Sequence, residues 1–525
     1  MLRQGIAASR RAASWCTRRS FASKPKKPVV LNDYTRVRDL AKKLKVSADD
    51  VVKQACRKHY HKYYMTHHDI QYKFDSLKQV ILPLDLAARI ADHFGATVAY
   101  ESVEPQDIES DPSLGVLVPR PPVIAVMGHV DHGKTTLMDT LRGANIAQFE
   151  VEKITQKIHV CDTTLAPDVP VTFLDTPGHF HFTRMRNNAA GVADAVVLVV
   201  AADEGCRLQT DESIGCIEDL DVPTVVCVNK MDLVPPSTFD KICDEIKEYV
   251  ALETSPVLPI SAKEGTNLDV LKQTLLNVLE TQVLTMHAHV DRGTQGTTLE
   301  VVASIGRGTV LRILVQHGAL KVGDHFICGM LHGVVKNLTR ANGDDVAIAM
   351  PGQVVDVSFK KLSRHKDAPL EYSLHVVTKE RAEAILHQRE MAMDFEASVE
   401  LRPDQIAEKE KEEARLPAKG FVGTPIVVKA DTAGSLTSIL DTVDDMAGIH
   451  TAHMGLGNIT VKDVERGCTI FGFNVRLHAR ERKLAAEQNV RIVIRPTIHQ
   501  LLEEIALVAD EDEAIADDAD ENQQH

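Results

Sequence analysis

A multidomain α/β architecture is what this sequence of 525 residues predicts. Three observations carry the prediction. The chain is too long for one hydrophobic core, so roughly three to five domains are expected. Between residues 119 and 285, the apolar runs VIAVMG, VTFLDT, DAVVLVVAAD, TVVCVNK and VLPISA alternate with helical stretches, the pattern of buried, largely parallel strands. From about 290 to 375 the texture changes to TLEVVASIG, TVLRILVQHG, GDHFICG, GVVKNL and QVVDVSF, short strands with glycine turns that predict a small β-barrel.

The remaining elements follow in chain order. Residues 1–31 carry eight basic residues and no acid. As a helix they set Arg3, Arg10, Arg11 and Arg18 on one stripe opposite Leu2 and Ile6. Such a segment is expected to be a mitochondrial transit peptide, which places the protein in the matrix. The alternative, a disordered basic arm holding RNA, leaves the apolar stripe without a purpose. Residues 32–115 read as a small helical domain. Ser47 and Asp50 form a capping box, and Asp85 opens a helix that Gly95 closes. Within it RKHYHKYYMTHHDIQYK (57–73) predicts either a basic, aromatic surface for RNA or a solvated helix face. As metal ligands, His59, His61, His67 and His68 lack a convincing geometry. Residues 116–286 form the first α/β domain and 287–376 the barrel. The charged, nearly glycine-free stretch 377–420 reads as a linker helix. Residues 421–508 repeat an α/β pattern, with Leu436, Ile439, Leu440 and Val443 on one helix face. The tail from 509 to 525 is acidic and expected to be disordered.

Charge and cysteine usage narrow the class. The net charge of −14 is concentrated at the end, since ten acids and no Lys or Arg follow Arg495. The rest of the chain is near neutral, so an RNA-facing surface is compatible with it. Nine cysteines without a C-x-x-C pair argue against a disulfide framework or a cysteine zinc site. No apolar run approaches the ~20 residues of a membrane helix, so no membrane association is expected.

The chemistry is carried by four motifs. GHVDHGKTT holds G-x-x-x-x-G-K-[ST] in full, from Gly128 through His129, Val130, Asp131 and His132 to Gly133, Lys134, Thr135 and Thr136. Its glycines let backbone N–H groups wrap a phosphate, Lys134 neutralises the β and γ oxygens, and Thr135 gives Mg²⁺ a hydroxyl. Asn229, Lys230, Met231 and Asp232 follow the strand TVVCV. The two acceptor oxygens of Asp232 match the adjacent N1–H and N2–H₂ donors of guanine, which adenine lacks. Ser261, Ala262 and Lys263 close over the base edge with a backbone N–H. In LDTPGHFHF, Asp175, Thr176, Pro177 and Gly178 form a turn at a strand end, with His179 directly behind it. Asp175 is expected to reach Mg²⁺ through water and the Gly178 N–H to bond the γ-phosphate. His179 then faces the attacking water, orienting it and stabilising nearby charge. GTP and Mg²⁺ are the expected ligands, and GTP hydrolysis the expected reaction.

GHVDHGKTTLMD, DTPGHFHFT, VVLVVAADEG, NKMD and SAK together resemble the translational GTPases, and most closely translation initiation factor 2 of bacteria and mitochondria. KITQKI resembles that family's first switch, which implies that Thr155 is a second Mg²⁺ hydroxyl. GTVLRILVQHGALKVGD resembles its second-domain barrel, TPIVVKADTAGSLTSILDTV and HMGLGNITVKDV its third, α/β/α domain, and VRDLAKKLKVSADDVV its N-terminal helical domain. The resemblance spans about residues 35 to 508. It implies a monomer acting on the mitochondrial ribosome, at the small subunit and the subunit interface. It also implies contact with initiator fMet-tRNA and, indirectly, with mRNA. The family's glycine pair before Ile-Thr-Gln is Glu152-Lys153 here, and CRLQT follows AADEG. The sequence given ends before the family's C-terminal tRNA-binding barrel, so fMet-tRNA binding is expected to be weak. Two rival readings stand beside this one. An elongation-factor-like tRNA carrier would place two barrels after the G domain. A ribosome assembly or structural factor would hold GTP with negligible hydrolysis.

Overall fold

The computed structural model describes residues 28–59, 62–68, 70–108, 116–142, 155–280, 287–291, 293–304, 306–363, 373–399, 424–446 and 448–509. Most of the predicted transit peptide, His61, Glu152-Lys153, the second half of the linker and nearly all of the acidic tail lie outside them. The chain divides into two compact units, Met1–Gln106 with Thr378–Leu416, and Asp107–Val377 with Pro417–His525.

The first unit is mixed rather than purely helical. Its helices are Val37–Leu44, Ala48–Ala55 and Leu84–His93. Ser47 caps the second as expected, its hydroxyl accepting the Asp50 N–H at 3.1 Å. Strands accompany them. Val29–Leu31 pairs in parallel with Val98–Tyr100, and Tyr34–Arg36 runs antiparallel to Ile81–Pro83. The predicted transit-peptide end at residue 31 therefore falls inside a strand whose Leu31 is buried. The His/Tyr-rich segment is not a helix face. It forms the antiparallel sheet Arg57–His59, Lys62–His67 and Ile70–Phe74. Its apolar residues recur with period two, which sends Tyr63, Met65, Tyr72 and Phe74 into the core.

The linker helix is a second correction. Lys379–Ala397 turns Met391 and Phe395 into that same core, where Tyr72 stacks on Phe395 at 4.3 Å. Thr378 caps it, accepting the Arg381 N–H at 3.3 Å. Arg389 pairs with Glu104 at 2.5 Å, and the Lys73 N–H donates to the Ser398 carbonyl at 2.8 Å. The described half is thus a wall of the N-terminal unit, not a spacer. Its many charges obscured an apolar stripe of Ala382, Ile385, Met391 and Phe395.

The second unit holds three α/β and β layers. A six-stranded sheet runs in the order His159–Ala166, Val169–Asp175, Val123–Met127, Ala195–Ala201, Thr224–Asn229 and Val257–Pro259, with only the first strand antiparallel. Val123–Met127 and Ala195–Ala201 are buried at every residue, which is why they read as continuous apolar runs. Strands Gln295–Ser304, Gly308–His317, His325–Cys328, Leu331–Arg340, Val354–Lys361 and Ser373–Val376 close into a six-stranded barrel around Leu311, Ile313, Phe326 and Val357. Ile449–Leu456, Thr424–Ala430, Thr469–Phe473 and Ile492–Arg495 form a parallel four-stranded sheet. Helices Ala433–Asp444, Ala479–Glu487 and 498–509 accompany it. No helix among the described residues is long and apolar enough to cross a membrane.

Candidate nucleotide site

Parallel strands deliver all the predicted motifs to one edge. Met127, Asp175, Asn229 and Pro259 end neighbouring strands at their carboxyl ends, where open α/β sheets bind ligands. The loop after Met127 depends on two glycines. Gly128 has φ of +134°, and a Cβ there would lie 2.2 Å from the Val199 carbonyl oxygen. Gly133 has φ of +88°, and a Cβ would lie 2.4 Å from Asn229 Nδ2. Both positions combine a strained backbone for any side chain with no room for one. Between them Asp131 also has positive φ. Lys134 opens the helix Lys134–Arg142 and folds back so that Nζ donates to the His129 carbonyl at 2.6 Å. Thr136 follows it in the helix, its carbonyl accepting the Thr140 hydroxyl at 2.9 Å. His132 is fully buried with Nδ1 3.2 Å from the Val199 carbonyl, and burial pulls its pKa down to about 3.

Two hydroxyls and a carboxylate meet beside this loop. The Thr135 and Thr155 hydroxyl oxygens are 2.7 Å apart, and Thr135 donates to Asp175 Oδ2 at 3.0 Å. The donor set is all oxygen, compact and partly anionic, and fits a hard divalent cation of the Mg²⁺ type. The Asp-Thr-Pro-Gly turn leans on the phosphate loop. A Cβ on Gly178 would stand 2.5 Å from Lys134 Nζ and 2.9 Å from the Val130 nitrogen. Thr176 ties the turn to the sheet by donating to the Val126 carbonyl at 2.7 Å.

Asn229 organises the opposite end. Its Nδ2 donates to the His132 carbonyl at 2.9 Å, and its Oδ1 accepts the Ala262 N–H at 2.8 Å. One side chain thereby joins the phosphate loop to the Ser261-Ala262-Lys263 loop. Lys230, at φ of +63°, reaches Asp203 and Glu204 at 3.1 and 3.5 Å. Met231 starts the short turn Met231–Leu233, which aims Asp232 outward. Ser261 donates to Asp232 Oδ1 at 2.7 Å, and this bond holds the carboxyl below its usual pKa. Lys263 is exposed.

His179 is buried, and does not point into open solvent. Burial first, then the neighbouring His499 and His181, pull its pKa down to about 3, so it is neutral at pH 7. His499, from the helix 498–509, lies edge-on at 4.1 Å between ring centroids. His181 stacks on the other side at 4.8 Å.

Three contributors escaped sequence reasoning. Arg186 is almost wholly buried. Its guanidinium donates to the His179 and Pro177 carbonyls at 2.6 and 3.2 Å and pairs with Glu212 at 2.6 Å. Gln209 accepts the Val130 N–H at 3.3 Å. His499 comes from more than 300 residues away in sequence. No local pattern marks any of them, because each acts through a partner on another element.

This sheet, its phosphate loop and its base-side loops define a GTP-binding domain of the translation-factor type. Residues 120–285 match the family model described as the elongation factor Tu GTP binding domain, and residues 398–506 the one described as translation-initiation factor 2. Translation initiation factor IF-2 of Methylocella silvestris is 33% identical over 496 residues, covering 91% of this chain and 53% of that one. Its counterpart in Thermoanaerobacter sp. strain X514 is 31% identical over 502 residues, covering 91% and 68%. The chain belongs to the translation initiation factor IF-2 family. It spans about half the length of most of the curated relatives it matches. Among solved structures, GDP-bound aIF5B from Aeropyrum pernix aligns at a TM-score of 0.43 and 23% identity, over 77% of this chain and 76% of that one.

Proposed function

We propose that this protein is a GTP-hydrolysing initiation factor of mitochondrial translation, acting on the ribosome in initiator tRNA placement and subunit joining. The observation that supports it most is the convergence of Thr135, Thr155 and Asp175 beside Lys134 and Gly178. Thr155 precedes a strand in the first switch region, while Asp175 opens the second, so one cation would tie both to the phosphate loop. Bound there, Mg²⁺ would neutralise charge on the β and γ oxygens. The chain's own residues do the rest. The Gly178 N–H and Lys134 hold the terminal phosphate, Asp232 and the Ser261–Lys263 loop select guanine, and His179 positions water.

In the structure His179 packs between His499 and His181, so unassisted turnover is slow in this reading. The ribosome accelerates it by releasing the histidine. The rival, a GTP-holding assembly factor, predicts no such acceleration. Single-turnover hydrolysis with and without mitochondrial ribosomes separates the two. His179→Ala is expected to bind GTP normally and to lose 10²-fold or more of the stimulated rate, about 2.7 kcal/mol of barrier. An unchanged rate removes His179 from the mechanism.

The matrix assignment rests on the basic, acid-free composition of residues 1–24. A reporter fusion lacking them is expected to stay in the cytosol. Import of that fusion would place the signal elsewhere.

A further inference from the structure

His179, His181 and His499 offer one ring nitrogen each, and these three atoms lie within 4.8 Å of one another. The rings come from two domains of one compact unit. His179 and His181 follow the Asp-Thr-Pro-Gly turn, and His499 opens the helix 498–509. We propose that they form a binding site for a borderline-soft divalent cation of the Zn²⁺ class, and that its occupancy holds His179 away from the nucleotide. The second half of this proposal rests on the catalytic reading of His179; the first does not.

Ligand chemistry, spacing, ring orientation and burial carry it. Imidazole nitrogen suits Zn²⁺, Cu²⁺ and Ni²⁺, whereas Mg²⁺ takes oxygen, so this set is chemically distinct from the Thr135, Thr155 and Asp175 group. Three protein nitrogens with an open fourth position make a recurrent zinc arrangement. At Zn–N distances of 2.0–2.1 Å, tetrahedral ligand atoms sit about 3.3 Å apart, so ring rotations of roughly an ångström close the site.

Thr442 orients the His181 ring. Its hydroxyl oxygen lies 3.1 Å from His181 Nδ1 and 3.0 Å from the Ser438 carbonyl. In the tautomer in which Nδ1 donates to Thr442, the Nε2 lone pair is available, with Thr442 as the orienting partner that metal-bound histidines have. Ser438 also donates to the His181 carbonyl at 2.5 Å, which fixes the backbone beneath the ring. His179 is held less firmly. Its Nδ1 accepts the His181 N–H at 3.4 Å, a long contact that a metal can displace.

Burial is graded in the right sense. His179 is buried while His181 and His499 are half-buried, so the cluster is shielded yet reachable. Burial and mutual proximity keep His179 and His181 unprotonated at neutral pH, as ligands must be. Two other groups, His129 with His132 and Glu204, and His67 with His68 and Asp85, need to be separated from this one.

Co²⁺ serves as the probe, titrated into the full chain with GDP and Mg²⁺ present. The wild type is expected to take up Co²⁺ with the visible absorption of tetrahedral cobalt and to release it to Zn²⁺. His181→Asn and His499→Gln should each weaken this at least tenfold, while His67→Asn keeps it. GDP affinity monitors folding in every variant. His499→Cys adds a rescue arm, in which binding returns with a thiolate-to-cobalt charge-transfer band. Equal binding by wild type, His181→Asn and His499→Gln overturns the site, as does a His499→Cys chain that binds without that band. In a second arm, Zn²⁺ should slow ribosome-stimulated hydrolysis in the wild type and leave His499→Gln at its metal-free rate. Equal slowing of both overturns the regulatory half. Metal-free hydrolysis indifferent to His179→Ala would instead overturn the catalytic reading, with the cobalt result intact.

Discussion

Asp232 is the side chain proposed to set nucleotide choice, and it contributes little to the fold. It is exposed, takes a bond from Ser261 and is held ionised by it, so both oxygens remain acceptors. Asp232→Asn exchanges one acceptor for a donor that would oppose a guanine N–H. Xanthine carries an oxygen where guanine carries its amino group, so the variant is expected to prefer XTP over GTP in competition binding. Continued strong preference for GTP would take this motif off the base. At this scale the sequence was informative: Gly128, Gly133, Lys134, Asn229 and Asp232 belong to motifs whose spacing is set by the phosphate and base they address. His179 was legible by place and not by surroundings. Its neighbour His499 arrives through tertiary packing, which spacing cannot report.

The turn after Asp175 illustrates what an element needs from below. Arg186 sits in the first turn of the helix Thr183–Ala190 and spans the Pro177 and His179 carbonyls, with Glu212 of the next helix balancing its charge. Arg186→Ala leaves the two carbonyls without their donor, while Glu212, 40% exposed, is left to solvent, so the loss is about 1–3 kcal/mol. Urea unfolding is expected to show that loss, and single-turnover hydrolysis to fall more than GTP affinity. Arg186→Lys should restore charge without the planar fork and recover stability only in part. Full activity in Arg186→Ala would mean that the turn holds itself. Strand and helix types in the α/β domains were legible because buried parallel strands are unbroken apolar runs. The His/Tyr-rich sheet was not, since Lys62, Tyr64, Thr66, Gln71 and Lys73 alternate with its four core residues and give it the look of a surface.

Across the whole molecule, the two units have separate cores, and the first depends on residues far apart in the chain. Phe395 packs on Tyr72 and lies at 5.4 Å from Tyr34 between ring centroids. Phe395→Ala is expected to destabilise that unit by about 3–5 kcal/mol, as large-to-small core changes do. Proteolysis and thermal unfolding should then show an early transition confined to Met1–Gln106 and Thr378–Leu416, with GTP affinity unchanged. A single transition shifted for the whole chain would show the two cores to be one cooperative system. Domain succession was readable from changes in texture, but the return of the charged helix to the N-terminal core was not, because its periodicity names a buried face without naming what covers it.

That return has a consequence for how the molecule is made. Synthesis is vectorial, and domains ordinarily fold in the order in which they emerge. Here the segment up to Val98 lacks Met391 and Phe395, which emerge only about 290 residues later. At ~5–20 residues per second the gap lasts roughly 15 to 60 seconds. During it the G domain and the barrel, encoded in between, have everything their own cores require. The nascent chain thus finishes its middle before its beginning, with Tyr63, Tyr72 and Phe74 waiting as an open apolar face for a helix still inside the polymerising machine.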